Sequence, residues 1–484
     1  MNRTFKISGI TLGLISLIWF VIRIVPISQA QDINLEIHLS GVYESDISLS
    51  PLIDGKVLQA IGTKNHIKIG SSANLLVKKE YLPGEFVLRF NYTEKPGSKP
   101  NSSEKLVFIA SQNIQLWLNP IHANNPDSIR YQDGEKENKV YAEFSKENAR
   151  HKNMLGVLRN FLLNYDDRGS NVYREGIKEY EKRHKSHSDW IKSQKKVHNA
   201  LFVSSLFGFE YIPEIDWSAS NESHMQNLTD RYFDQVDFND TLLLKTSELR
   251  NFTDQFVNLH AELITSNTMR DSMLTLAGKR AIEKAKKGHP KLYGWMVDYF
   301  FEGYERYNIQ AGVSMLEPYI SDPNCLTAKM QAIKKRLKGM ETLLPGTIAP
   351  DFEFTDINGN KVKFSTYQSE KPFKLILFWS ADCEHCKELV SQLYPWYQQQ
   401  QDIIANLDVI AISLDETATE VPKWEEARIA LPEWIHYRAE SGINSKVAED
   451  YFILATPVMV LVNAKTNEIV TLPESIKQIE QAMH

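Results

Sequence analysis

A chain of 484 residues is too long for one ordinary core and predicts about two to four domains. Apolar residues at 42% and charged residues at 24% are the proportions of a soluble globular protein, and a formal net charge of -6 excludes a basic nucleic-acid binder. Basic runs such as Lys182–Lys185 and Lys334–Lys338 read as solvated helix faces.

Residues 1–30 stand apart from the fold. Arg3 and Lys6 precede an apolar stretch from Ile7 to Ile22, and Ser28-Gln-Ala30 offers the small residues a signal peptidase reads, so the segment predicts export. An uncleaved membrane anchor is the alternative, although the stretch is short for a span and Arg23 interrupts it. Either way the remainder is expected in the periplasm or cell envelope, where a disulfide can persist. Sequons at Asn91, Asn101, Asn221, Asn227, Asn239 and Asn251 matter only in a glycosylating pathway and carry no weight.

Residues 31–139 alternate with period two. Leu35, Ile37 and Leu39, then Phe86, Leu88, Phe90 and Tyr92, then Ile114, Leu116 and Leu118 mark strands, with turn chemistry at Asp54-Gly55, Pro83-Gly84 and Asp133-Gly134. A β-sandwich-like domain, antiparallel and without a catalytic constellation, is the expectation, and binding or spacing its role. Over residues 140–343 the period moves to about 3.6. Met154, Leu158, Phe161, Leu162 and Tyr165 form one apolar stripe; Trp295, Tyr299, Phe300, Tyr304 and Tyr307 form another, read as core of an α-helical bundle. Cys325, in a turn after Pro323-Asn324, is either a bystander or a bridging thiol.

Leu344 to Pro350 reads as a linker opening the last domain, residues 344–484. Phe352 to Phe354 and Lys361 to Phe364 flank the hairpin signal Asn358-Gly359. A buried strand from Leu375 to Trp379 leads into a helix from Glu384 to Gln400 that Pro395 should kink. Leu407 to Ser413 and Ile435 to Arg438 read as strands. Thr417 to Ala430 and Asn444 to Tyr451 read as helices, Val458 to Val462 with Glu468 to Thr471 as a hairpin, and Glu474 to Met483 as a closing helix. This predicts an α/β domain with a mixed sheet covered on both faces.

Between that strand and helix stands Cys383-Glu-His-Cys386. Two thiols one turn apart at a helix start suit attack by Cys383, favoured as thiolate by the helix N-terminus, and resolution by Cys386. A structural disulfide and half of a zinc site are the alternatives; the latter lacks partners, since Cys325 is the chain's only other cysteine. His385, if cationic, favours the thiolate, or is simply solvated; Asp382 and Glu384 oppose it.

With Pro345-Gly, Ala349-Pro-Asp-Phe352, Asn358-Gly359, Phe378-Trp379, Cys383-Glu-His-Cys386 and Thr456-Pro457, the C-terminal domain resembles the thioredoxin-like superfamily. Within it, the nearest likeness is the exported thiol:disulfide oxidoreductases of the cytochrome-c-maturation type. The resemblance implies catalysis by Cys383, Cys386 and His385, and a substrate surface at Trp379, Thr456 and Pro457, with Thr456–Pro457 cis. A trans proline at an ordinary strand start is the alternative. No cofactor or metal is implied. The partners would be disulfide-bearing or dithiol proteins and a membrane or envelope electron donor, with reduction the usual direction. Where reductants of the group place a glutamate six residues after the first cysteine, this chain has Leu389, so the acid that takes a proton from Cys386 is unassigned. Two rivals stand beside this reading: an envelope binding protein with a structural dithiol, and a thiol peroxidase, whose Pro-x-x-x-Thr-x-x-Cys arrangement Lys374 to Asp382 lacks.

Overall fold

The computed structural model describes residues 31–483 apart from 220, 263, 265, 356–358 and 400; residues 1–30, where an export signal or anchor is expected, and Asn358 lie outside the described residues. The chain divides into two compact units between Asp254 and Gln255.

In the first unit, β1 (Ile33–Leu39), β2 (Glu44–Ile53), β3 (Lys56–Val57), β4 (Gly62–Lys68), β5 (Ser72–Val77), β6 (Gly84–Thr93), β7 (Asn101–Ile109), β8 (Ile114–Leu118) and β9 (Ile129–Tyr131) form two sheets. Their orders are β5-β1-β8-β9 and β3-β2-β6-β7, with β4 also on β2. Alternation sends Leu35, Ile37, Leu116 and Leu118 from one sheet, and Ile47, Leu49, Leu88 and Phe90 from the other, into one shared core. The expected antiparallel pairing fails once. β1 and β8 run parallel, because β2, β6 and β7 carry the chain through the other sheet before it returns.

The helices α1 (Glu137–Asn164), α2 (Asn171–Val197), α3 (Asn221–Arg231) and α4 (Glu248–Ala261) follow. On α1, Leu155 and Leu162 are buried against Tyr173 and Tyr180 of α2, with Leu158, Phe161 and Tyr165 packed partly against them, while Met154 is exposed. The expected stripe is therefore met at Leu158, Phe161, Leu162 and Tyr165, with Leu155 taking the place of Met154. At the start of α1 the half-buried Tyr141 hydroxyl donates to Glu248 at 3.4 Å, and Glu85 accepts from the Ser247 N–H and hydroxyl. Burial, followed by the charges of Glu85 and Glu210, pushes the Glu248 carboxyl up to about 7. The folded state then holds a proton that the unfolded chain releases near 4.5, so this group's stabilisation is full below that value and is lost as pH rises to about 7. Glu248→Gln, which keeps an acceptor for Tyr141, should raise stability above neutral pH by on the order of 2 kcal/mol and flatten the pH dependence of urea unfolding. Parallel pH profiles for parent and variant would contradict the assignment.

The second unit opens with α5 (Asn267–Ala285), α6 (Pro290–Arg306), α7 (Gln310–Met315), α8 (Glu317–Ile320) and α9 (Met330–Thr342). Trp295, Phe300 and Tyr304 of α6 are buried as expected. Tyr299 is half-buried, and Tyr307, which caps the helix end, is exposed. The α/β part follows: β10 (Glu353–Thr355), β11 (Lys361–Lys363), β12 (Phe373–Trp379), α10 (Glu384–Gln399), α11 (Gln401–Asn406), β13 (Leu407–Ser413), α12 (Glu420–Ile429), β14 (Ile435–Arg438), α13 (Lys446–Asp450), β15 (Val458–Asn463), β16 (Ile469–Thr471) and α14 (Ile476–Met483). Pro395 lies inside α10, which continues past it.

The main sheet has the order β14-β13-β12-β15-β16, with β12, β13 and β14 mutually parallel and β15 and β16 antiparallel. Successive residues of β12 enter opposite cores: Ile376 and Phe378 join Phe352, Phe364 and Val460, whereas Leu375, Leu377 and Trp379 join Cys386, Leu393 and Tyr397. A strand buried on both faces has no polar alternation to show, and from Leu375 to Trp379 this one reads as an unbroken apolar run.

The expected linker is not free. Gly346 N–H donates to Ile469 O, Ile469 N–H to Thr347 O and Ala349 N–H to Asn467 O, so this segment pairs with the β16 edge that would otherwise leave its backbone groups unpaired. α9 meets the same domain at the turn before β15. Lys335 Nζ donates to Ile453 O at 2.9 Å, and Gly339 lies against Phe452, itself held at φ 53. A Cβ at Gly339 would come within 2.7 Å of the Phe452 Cβ. Replacing a helical glycine gains up to about 1 kcal/mol of propensity, but overpacking costs about 1–3 kcal/mol. Gly339→Val should therefore lower the thermal midpoint, and an unchanged midpoint would show that helix and turn do not touch.

Candidate active site

The site grows from the way α10 begins. Cys383 takes the N-cap position: its carbonyl accepts from Lys387 N–H at 3.0 Å, and its sulfur accepts from Cys386 N–H at 3.4 Å, the bond a capping serine oxygen makes elsewhere. The Cys383 thiol in turn reaches the Thr456 carbonyl at 3.6 Å. Thr456–Pro457 is a cis peptide, and it brings that carbonyl to the helix tip from the start of β15.

The two thiols, both free, have opposite environments. Cys383 is half-exposed, and its modest burial, which alone would raise its pKa, is outweighed by hydrogen bonds from the Cys386 thiol and N–H, the Thr456 side chain and the His385 N–H, so the thiol lies below the ordinary range. Cys386 is 0% exposed, and burial first, then the bond to Cys383, pushes it up to about 12. Chemically, this is one sulfur poised as a nucleophile and one kept as a thiol in reserve.

The other expected residues sort themselves around this pair. His385 is exposed on the first turn and reaches the sulfur through its backbone N–H. Trp379, expected among the substrate contacts, is 2% exposed and packs in the core with Cys386; it supports the site from beneath, because the last residue of a doubly buried strand has no free face. Pro457 is half-buried beside Thr456. Glu388 is exposed, and Leu389 packs partly into the core around Cys386. Cys325 is buried and free, its thiol pushed up to about 11 by burial and then by the Asp298 charge. No group of three or more His, Cys, Asp or Glu placed to hold a metal ion occurs among the described residues.

Three polar residues went unnoticed in the sequence. Asp415 is completely buried behind the turn Ser380–Cys383 and accepts from Ser380, Ala381 and Ser413. Lys423 pairs with Asp382, and Lys387 with Glu384, so the two acids flanking Cys383 are each partnered at the surface. The available signal was position: Ser413-Leu-Asp415 ends the parallel strand next to β12, at the carboxyl edge where α/β sheets build their sites.

Residues 345–471 match the AhpC/TSA family. The chain is 30% identical over 84 residues to the thiol-disulfide oxidoreductase ResA of Geobacillus kaustophilus, a match that covers 17% of this chain and 44% of that protein. With the protein of the same name from Geobacillus thermodenitrificans it shares 28% over 141 residues, 28% of this chain and 74% of the relative. The chain thus spans less than half the length of the first of these relatives. A thioredoxin-like protein of known structure from Bacteroides caccae aligns with 56% of this chain and 96% of its own at 19% identity and a TM-score of 0.37.

The asymmetry of the thiols sets their labelling. Only the thiolate is alkylated, so the rate at Cys383 should fall tenfold per pH unit only below its lowered pKa, whereas at neutral pH Cys386 holds roughly one thiolate in 10⁵. Treating the reduced, native protein with iodoacetamide near neutral pH should mark Cys383 and spare Cys386 and Cys325 by mass spectrometry. Equal labelling of Cys383 and Cys386 would contradict the geometry.

Proposed function

We propose, from a C-terminal domain that belongs to the AhpC/TSA thioredoxin-like family, that the protein is a thiol:disulfide oxidoreductase of the cell envelope acting through Cys383 and Cys386 in the reducing direction. The observation that carries this is the half-exposed Cys383 sulfur at the tip of α10 with the buried Cys386 thiol directly behind it.

The Cys383 thiolate attacks one sulfur of a substrate disulfide; that S–S bond breaks, and the departing sulfur takes up a proton. Cys386 then loses its proton and attacks the Cys383 sulfur, releasing the second substrate thiol and leaving a Cys383–Cys386 disulfide. Two electrons have passed to the substrate. A dithiol donor in the membrane or envelope must return them, and oxidation of a substrate is the same sequence run backwards. The substrate segment lies in extended form beside Thr456 and Pro457, where a backbone carbonyl already faces the sulfur. His385, exposed next to the reacting pair, supplies positive charge when protonated. The regions 31–139 and 140–343 serve as accessory domains for binding or spacing, behind an N-terminal segment that exports or anchors the chain.

The test is insulin reduction by the full chain with dithiothreitol as donor. Parent protein should turn over. Cys383→Ser should fall to background, and Cys386→Ser should accumulate a mixed disulfide with substrate that a reductant releases. No turnover by a parent whose thiols are free would turn the reading toward an envelope binding protein, and rapid consumption of hydrogen peroxide toward a thiol peroxidase.

A further inference from the structure

Asp415 stands two residues beyond β13, wholly buried, and none of the exchange steps uses it. Its Oδ1 accepts from Ser380 Oγ–H at 2.6 Å; its Oδ2 accepts from Ala381 N–H at 2.9 Å and from Ser413 Oγ–H at 2.8 Å. Ser380 passes this hold along the chain. Its Oγ accepts from Asp382 N–H at 3.2 Å and its carbonyl from Cys383 N–H at 3.3 Å. Every backbone N–H from Ala381 to Cys383 therefore ends on Asp415 or on the serine Asp415 grips. The far side of Asp415 is equally tied, its N–H donating to Ser413 Oγ at 3.1 Å and its carbonyl accepting from Arg438 Nη1 at 3.3 Å.

A buried carboxylate is a costly way to fill space, and a well-packed apolar residue is often as stable or more so. What the carboxylate adds is direction. Two donors from the turn between the end of β12 and the first residue of α10, with Ser413 of β13 as the third, converge on two oxygens and fix that turn far more tightly than packing would. We infer that Asp415 is a positioning residue for the exchange reaction, locking the Ser380–Cys383 turn so that the Cys383 sulfur is held against the Cys386 N–H and the Thr456 carbonyl. The inference rests on the exchange reading above and goes beyond it by assigning a residue that touches neither thiol's substrate nor the leaving sulfur. The charged groups at the surface do not duplicate this hold: Asp382 is paired with Lys423, Glu384 with Lys387, and His385 is exposed.

The experiment measures, across neutral pH, the rate at which iodoacetamide modifies Cys383 in the reduced full-length parent and in Asp415→Ala, Asp415→Asn and Ser380→Ala. Loosening the turn lengthens the hydrogen bonds that favour the thiolate, so Asp415→Ala should move the profile up by about one pH unit, a rate about tenfold lower on its rising limb. Asp415→Asn, whose carboxamide oxygen retains part of the acceptor set, should recover part of that loss. A role in stability alone would lower the melting temperature and leave the profile in place, and superimposable profiles overturn the inference. Should Asp415→Ala fail to fold, Ser380→Ala and Asp415→Asn decide: a smaller shift in the same direction supports the assignment, and no shift in either overturns it. The insulin assay separates this from the parent reading, because a parent that alkylates at Cys383 but never turns over refutes exchange while leaving the effect of Asp415 on the sulfur readable.

Discussion

The hydrogen bond from Cys386 N–H to the Cys383 sulfur is the constraint on which the rest of the site depends. A helix start leaves its first N–H groups without partners, and here a sulfur fills the place usually taken by a serine, threonine or aspartate oxygen. The same bond makes Cys383 the residue that faces outward and turns Cys386, three positions on, beneath it. Exposure of one thiol and burial of the other thus come from a single cap rather than from two separately built environments. The wall opposite is supplied by another element, the cis Thr456–Pro457 peptide, whose carbonyl closes on the same sulfur.

A cap so placed needs a rigid base, and the sheet provides it. β12 is paired on both edges and buried on both faces, so its last residue, Trp379, has no freedom to shift. Around this base the chain closes its own open edge: the segment from Gly346 to Ala349 covers β16, and α9 rests on the turn at Phe452 and Ile453 that leads to Thr456. The helical segment ahead of the α/β domain therefore bears on the strand start that faces the Cys383 sulfur.

Much of this was legible in the sequence, for physical reasons that also mark the limits. The strands Leu407–Ser413 and Ile435–Arg438 were expected with the bounds the structure gives them, and Cys383 at the start of α10 followed from a short apolar run meeting a helix signal. The helix expected from Thr417 is preceded by a turn in which Thr417 Oγ1 accepts from Glu420 N–H while Glu420 Oε2 accepts from Thr417 N–H, and its first helical residue is Glu420. What was missed shares a property: it depends on which residues meet across the fold. Asp415 lies 32 positions after Cys383 and looks like any loop acid until the parallel pairing of Trp379 with Ser413 brings it behind the turn. The cover over β16 likewise joins residues far apart in the chain, Gly346 and Ile469.

The charges beside Cys383 show why spacing alone misjudges such a site. By sequence, Asp382 and Glu384 are two negative neighbours that should hold a proton on Cys383. In the structure each has its own lysine, Lys423 and Lys387, at the surface, where paired charges are screened and their residual field on a third group is small. The Thr456 carbonyl accepts from the thiol, but the other groups at the sulfur are N–H and hydroxyl or thiol donors, and a hydrogen bond to an ionised acceptor is about twice as strong as one to a neutral acceptor. They favour the thiolate whatever the neighbouring acids are doing. The balance that looked even along the chain is decided by contact: donors within bonding distance outweigh paired charges that face solvent, and the sulfur at the helix tip is left below the range of a free thiol.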